Sequence, residues 1–330
     1  MARTQRVRCN LCGAAVARLW YQAGEFTYVT CQVCNLHYLN PQPTLEILVN
    51  EYYTDDAYFS WYYDGGYTAQ EEAMLASYRQ TVREIVYEAG IQKGQLLDIG
   101  CGSGYLMVVA RELGFEVEGI EPGKSVAEHG HKKFGLKIHI APLEEVKLAP
   151  ESYDLVVIES TLEHMLDPFD TLKRIARILR PGGVVFIKVP NANVTLTSRA
   201  VRASEIEENT PFHTYYFTPQ TLSMLTRKVG LWPISLNTAL HFSVPFRLRQ
   251  WWEEQRERRM KRGYVVSHLE RKLNPKRFAS SPATLLDRFV GAMIDIGAVR
   301  LGTPLWRAID RIPLAQKGHT ISLWARKEVL

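Results

Sequence analysis

The chain has 330 residues, 46 % of them hydrophobic and 23 % charged, with a formal net charge of +5; these are the proportions of a globular protein long enough for more than one structural unit. They exclude a disordered or fibrous chain, and no apolar run reaches the ~20 residues a membrane helix needs. Residues 283–299 come nearest and are interrupted by Asp287, Arg288 and Asp295. The N-terminus has basic residues with no apolar stretch behind them, so no secretory signal is expected and the default compartment is cytoplasmic.

Four of the five cysteines lie in the first 34 residues, as Cys9-x-x-Cys12 and Cys31-x-x-Cys34 with eighteen residues between the pairs. Two such knuckles can place four thiolates on one tetrahedral zinc, a closed site with no position for a substrate. Two disulfides or four unrelated core cysteines are the alternatives, and a cytoplasmic setting disfavours the first. Arg18–Tyr21 and Phe26–Thr30 have strand-like content, so residues 1–40 read as a small zinc ribbon acting as scaffold or lid. Residues 41–92 follow as an aromatic linker and helical lead-in. The stretch AYFSWYYDGGYTAQ (57–70) is either a hydrophobic seam or a wall over a ligand pocket, and Ala73–Ala89 has helical spacing.

From residue 93 to 242 strands and helices alternate. Strands are expected at Leu96–Ile99, Glu116–Ile120, Lys137–Ile140, Tyr153–Glu159, Val184–Val189 and Trp232–Ala239. Helices are expected at Ser125–Phe134, Pro168–Leu179 and Pro219–Val229, with a short helical piece from Leu143. A last strand, His319–Arg326, falls within 317–330. Such alternation predicts an α/β fold, a mostly parallel Rossmann-like sheet with helices on both faces and ligands at the carboxyl ends of its strands.

The chemistry starts at Leu96–Leu106, LLDIGCGSGYL: a buried strand, a turn with Gly100, Gly102 and Gly104, and a helix opening at Tyr105. A helix N-terminus behind a glycine turn presents unpaired N–H groups to a ligand. The spacing is G-x-G-x-G rather than the G-x-G-x-x-G of nicotinamide folds, and no Gly-Lys-Ser/Thr follows, which excludes a P-loop. Asp98 precedes the turn, and Glu121 closes the next strand, where a carboxylate suits the two hydroxyls of a ribose.

LLDIGCGSGYL, VEGIEPG (117–123), YDLVVIESTLEHMLDP (153–168) and LRPGGVVFIKVPN (179–191) resemble class I S-adenosylmethionine-dependent methyltransferases. The likeness covers about residues 75–240 and the last dozen, judged on motifs with a mechanism. It implies that Asp98, Gly100, Cys101, Gly102 and Gly104 hold the methionine part of the donor and Glu121 the ribose. Leu143 and Glu144 fall where adenine contacts lie, and Glu159 where the fourth strand meets the methyl-donor pocket. Ribbon and core together resemble bacterial sugar, polysaccharide and secondary-metabolite methyltransferases. If the last two strands are the family's sixth and antiparallel seventh, residues 243–316 are an insertion between them.

An activated methyl needs an aligned nucleophile, and an alcohol also needs a base. His164, after the fourth strand, and His213, in PFHTYYFTP, are the candidate bases; each could instead shape the pocket. Glu163 could orient His164 or face solvent. Quinone-ring O-methyltransferases also resemble this region, but the extra acid with which some bind a metal would fall on Ser160, which disfavours a catalytic metal. Cys101, in the donor turn, is disfavoured as a nucleophile. The Asn/Asp-Pro-Pro-Tyr/Phe signature of nucleic-acid amino methyltransferases is replaced by Glu159-Ser-Thr-Leu.

Between residues 241 and 280 eleven basic residues face four acidic ones, a local +7 that leaves the rest of the chain at −2. Arg247–Leu273 reads as helical, with Trp251 and Trp252 near its start. A solvated helix face is the ordinary meaning of such a run; a docking surface for phosphorylated substrates, an anionic membrane surface or nucleic acid is the functional one. The expected activity is methyl transfer from S-adenosylmethionine to a small-molecule or glycan-type acceptor by O-methylation, with structural Zn2+ in the ribbon. The rivals are an RNA methyltransferase gripping phosphates through ribbon and insertion, and a non-catalytic donor-binding regulator.

Overall fold

A computed structural model describes residues 3–48, 67–195, 206, 209–239 and 320–329. By its contacts the chain divides into two units, Met1–Ala239 with Gln316–Leu330, and Leu240–Ala315. All described residues belong to the first. The basic insertion at 243–316, with its helix at Arg247–Leu273 and its tryptophans, lies outside them, as does most of the aromatic stretch at 57–70.

The N-terminal part is a β-hairpin, β1 (Ala17–Ala23) and β2 (Phe26–Cys31), continued by β3 (His37–Leu39). Helix α1 (Tyr67–Ala89) leads into β4 (Gly94–Ile99), whose turn opens α2 (Tyr105–Glu112). The alternation continues through β5 (Phe115–Ile120), α3 (Lys124–Phe134), β6 (Ile138–His139), a 3-10 turn at Leu143–Glu145 and β7 (Tyr153–Glu159). A second 3-10 turn, Leu162–His164, precedes α4 (Pro168–Ile178) and β8 (Leu179–Pro190). Then come β9 (Tyr215–Tyr216), α5 (Pro219–Lys228), β10 (Leu231–Ala239) and β11 (Thr320–Lys327).

Seven strands form the central sheet in the order β10-β11-β8-β7-β4-β5-β6. β8, β7, β4, β5 and β6 pair in parallel, while β11 runs antiparallel between β8 and β10. Strands such as Leu155–Ile158 and Val184–Ile187 are buried throughout, as a parallel sheet covered on both faces requires. One face packs Leu96, Leu155, Val157, Val184, Phe186 and Trp324 against α1 and α2; the other packs Ile99, Ile158, Ile187 and Leu323 against α4 and α5. The last strand docks on the first helix, since Trp324 Nε1 donates to the Ile85 carbonyl (3.3 Å) and Arg326 to that of Ala89 (2.9 Å). Helix α4 starts on Asp167, whose carboxylate accepts from Asp170 N, with Pro168 in the first turn.

The boundary expected at residue 40 is not a break in packing. The N-terminal sheet has four strands, in the order β9-β3-β2-β1, and the fourth comes from the core, pairing Tyr215 with Tyr38 and Tyr216 with His37. Trp20 stacks on His37 (4.2 Å between centroids), and Tyr28 meets Tyr216 edge-on (5.6 Å), so one aromatic cluster spans both parts. Asn10 adds a polar lock: its Oδ1 accepts from Phe169 N and its Nδ2 donates to Asp167 Oδ1, both at 2.8 Å, at the start of α4.

Candidate active site

The four N-terminal cysteines converge, their sulfurs all within 4.8 Å of one another. Cys9 and Cys34 are 3.4 Å apart and Cys12 and Cys31 3.5 Å, so they are thiols, far from the ~2.05 Å of a disulfide. Both knuckles close alike: Gly13 N bonds the Cys9 carbonyl and Asn35 N that of Cys31, and both donor residues have a positive φ (Gly13 +76°, Asn35 +62°). Glycine and asparagine are the residues that take this conformation at least cost.

At the carboxyl edge of the sheet the glycine turn wraps Glu121. This buried carboxylate accepts from Gly102 N (2.9 Å) through one oxygen and from Gly123 N (2.8 Å) through the other. Gly100 has φ +75°, and a Cβ there would lie 2.2 Å from Thr161 Oγ1, so any side chain would push apart the turn and the segment after β7. No side chain caps α2, whose N-cap is Gly104, leaving its first amides directed at the turn. Asp98 is buried just below; desolvation first, then Glu159 and Glu121, hold its carboxyl well above the usual range. Burial, Asp98 and Glu121 likewise push the Cys101 thiol up and keep it protonated, which removes the chemistry a nucleophilic cysteine needs. Leu143 is buried among Ile99, Ile120 and Ile158, and Glu144 is exposed beside it.

Thr161, which packs against the turn at Gly100, immediately precedes the 3-10 turn that ends on His164. Parts of the sequence 48 residues apart meet here: His164 Nδ1 donates to the Phe212 carbonyl (3.0 Å), and the His164 and His213 rings meet edge-to-face at 4.8 Å. That bond places the His164 proton on Nδ1 and leaves Nε2 as an acceptor. Burial lowers His164 to about 4, and burial together with His164 lowers His213 well below its ordinary value. His213 Nδ1 is buried and makes no hydrogen bond among the described residues. Its carbonyl accepts from Tyr28 OH (3.0 Å), and Leu39 N bonds the next carbonyl, so the N-terminal sheet holds this segment against the core.

Glu163, open between an orienting role and solvent, is 1 % exposed and faces inward. Its carboxylate, His164 and His213 bring ligand-competent atoms within 4.8 Å of one another. Reasoning from the acid expected at Ser160 missed this grouping, because its third member comes from a distant loop. Glu159 is tied to Lys188, a residue overlooked in the sequence although a lone lysine in VVFIKVP is unusual enough to have been a signal.

Residues 71–236, half of the chain, match the model of a methyltransferase domain family. The chain belongs to that family. It is an S-adenosylmethionine-dependent methyltransferase. Over 153 residues it is 31 % identical to a ubiquinone biosynthesis O-methyltransferase of Aeromonas salmonicida, a match over 43 % of this chain and 64 % of that protein. The chain thus spans a little under two-thirds of that relative's length. A protein of the same name from Vibrio cholerae is 30 % identical over 168 residues, 48 % of this methyltransferase and 68 % of that one. The structure of Haemonchus contortus phosphoethanolamine N-methyltransferase 2 with S-adenosyl-L-methionine is a distant likeness: TM-score 0.49, 18 % identity, covering 89 % of this chain and 63 % of that one. Among the described residues of the methyltransferase no helix is long and apolar enough to cross a membrane.

Proposed function

We propose that this methyltransferase O-methylates a small hydroxylated molecule, with His164 or His213 taking the acceptor's proton. The observation that carries the reading is the edge-to-face pair of neutral imidazoles, His213 buried and His164 partly so, with His164 three residues after the Thr161 that packs on the glycine turn. The named relatives, O-methyltransferases of ubiquinone biosynthesis, support oxygen as the acceptor atom. S-adenosylmethionine supplies the activated methyl when bound. Asp98, Gly100, Cys101, Gly102 and Gly104 would hold its methionine part, Glu121 its ribose hydroxyls, and Leu143 and Glu144 its adenine. Each Glu121 oxygen keeps a lone pair beyond its amide bond, and so can still accept from a ribose hydroxyl.

The N-terminal thiols fit a structural zinc. Tetrahedral zinc with bonds of ~2.3 Å sets sulfurs about 3.8 Å apart, close to the spacing present. Four ligands would close the site, so its contribution is to brace the sheet that holds His213. A cytoplasmic location belongs to the same reading, being a compartment in which free thiols persist.

The test uses methyl-labelled donor with the small-molecule fraction of cell extracts and, separately, with total RNA. Label in small molecules as methyl ethers, lost in His164→Ala or His213→Ala while donor affinity is kept, supports the reading. Label confined to RNA, or transfer untouched in both variants, overturns it.

One observation favours a second reading. The burial that keeps His164 neutral also weakens it as a base, and a carboxylate with two neutral imidazoles is a donor set for a divalent ion. Under that reading Glu163, His164 and His213 hold the ion. Activity lost to a chelator and restored by magnesium, while metal analysis shows the cysteine-bound zinc retained and donor affinity is unchanged, favours it over simple base catalysis.

A further inference from the structure

Along β7 and β8 the core-facing residues alternate, and the face that carries Leu155, Val157, Val184 and Phe186 ends at its carboxyl edge in two charged residues. Glu159 and Lys188 are register partners on the two parallel strands, and Lys188 Nζ donates to Glu159 Oε1 at 2.6 Å. The side chains are 17 % and 23 % exposed, so the pair is largely withdrawn from water without being sealed from it. The polar row continues sideways: Lys188 is the register partner of Ser322 on β11, and Ser322 that of Asn237 on β10. On the other side Asp98 is the register partner of Val157, two residues before Glu159 on the same face, which places the pair beside the strand that ends in the glycine turn. Ser160, with φ +51°, sends its N–H back to the Lys188 carbonyl (2.8 Å), which ends the strand directly after Glu159.

A half-buried ion pair in an apolar sheet costs desolvation that well-packed hydrophobic residues would avoid, and so stabilises the fold poorly. Its hydrogen-bonding capacity is unspent. Among the described residues the ammonium donates to Glu159 alone, leaving two N–H groups, and the carboxylate has lone pairs on both oxygens. An ammonium beside a carboxylate offers donor and acceptor side by side, the complement of two neighbouring hydroxyls. The ammonium is already paired with the Glu159 carboxylate, so the subsite offers no net positive charge to a phosphate or carboxylate on the acceptor.

We propose that Glu159 and Lys188 form the acceptor-recognition subsite and that it takes a neutral vicinal diol, Lys188 donating to one hydroxyl oxygen and Glu159 accepting from the neighbouring O–H. The proposal deepens the O-methylation reading and rests on it. Hydroxyl pairs of this kind occur on sugar rings and on dihydroxylated aromatic rings, and the same subsite serves either.

The test titrates full-length protein, saturated with S-adenosylhomocysteine, by NMR with two matched pairs: catechol against phenol, and cis-1,2-cyclohexanediol against cyclohexanol. At least one diol is expected to bind about 10-fold more tightly than its mono-alcohol, the scale of one charge-assisted hydrogen bond. Lys188→Met should erase that preference with S-adenosylhomocysteine affinity unchanged, and Lys188→Arg should retain part of it. If Lys188→Met does not fold, Glu159→Gln carries the diol-against-mono-alcohol comparison, its S-adenosylhomocysteine affinity being measured first and that ligand kept saturating. Preference for catechol assigns an aromatic acceptor, and preference for the alicyclic diol a sugar-like one. A wild type that binds neither diol better than its mono-alcohol, or a preference that survives in the variants, overturns the proposal. Failure to bind S-adenosylhomocysteine at all overturns the donor reading instead, and the two failures are separately visible.

Discussion

At the scale of single residues, the proposed donor side of the site contains a group that is costly without a ligand. Asp98 is raised by burial, then by Glu159 and Glu121, so its ionised form destabilises the donor-free fold at neutral pH. Its folded pKa lies above its unfolded one. The stabilisation it contributes is therefore complete below the unfolded value and is lost as pH rises through the folded value. Under the proposed assignment a cationic donor would reverse the balance by favouring the carboxylate. Asp98→Asn should thus raise the melting temperature of the donor-free protein at pH 7, by about 2–4 °C per kcal/mol relieved. It should weaken S-adenosylmethionine binding at least about 10-fold. The gain in melting temperature should shrink as pH falls, and wild-type donor affinity should fall with it while that of the variant stays flat. Calorimetry at several pH values checks both; an Asn variant that melts lower and binds donor normally contradicts the assignment.

At the scale of elements, short polar motifs set the boundaries around the site. Thr218 and Thr221 form a capping box at the start of α5, with Thr221 N to Thr218 Oγ1 at 3.1 Å and Thr218 N to Thr221 Oγ1 at 2.9 Å. Thr218→Ala should cost about 1 kcal/mol in denaturant unfolding. Asn10→Ala removes two bonds between the cysteine-rich sheet and α4, and should cost about 1–3 kcal/mol with the four cysteines untouched. A change within error in either variant removes that motif from the account.

The same elements show what can be read locally. Tyr153–Glu159 and the start of α2 at Tyr105 fall where the apolar run and the glycine turn put them. β8 begins earlier than Val184, because Leu179 still pairs with Tyr153 before a register shift at Arg180–Gly183 that reads in sequence as a plain turn. Tyr215–Tyr216 was not legible as a strand. Two residues between prolines carry no periodicity, and their partner, Tyr38, lies 177 positions away. The candidate site shows the same division. Asp98, the glycines and Glu121 follow from spacing, whereas the contact between His164 and His213 and the burial of Glu163 depend on that distant pairing.

At the scale of the whole molecule, the cysteine-rich sheet and the methyltransferase core are one structure with a shared strand. Tyr28, the β3–β9 ladder and the Leu39–Thr214 bond lie on either side of His213. Structural zinc would therefore act on catalysis at a distance. Removing it with a high-affinity chelator, or replacing Cys31 with Ser, should lower the melting temperature and the turnover together. S-adenosylhomocysteine affinity should change little, because the glycine turn and Glu121 are held by the central sheet. Metal analysis should return one zinc per chain before treatment. A zinc-free protein with full turnover contradicts this coupling.

Under the proposed reading the donor site rests on Glu121, whose carboxylate joins the amide of Gly102 in the turn to that of Gly123 and would be the one that takes the ribose. The most direct measurement is a calorimetric titration of S-adenosylhomocysteine into wild-type protein and Glu121→Ala, both verified as folded. Saturable one-to-one binding by the wild type, weakened at least about 10-fold in the variant, is the predicted result. Equal affinity in the two proteins would contradict it.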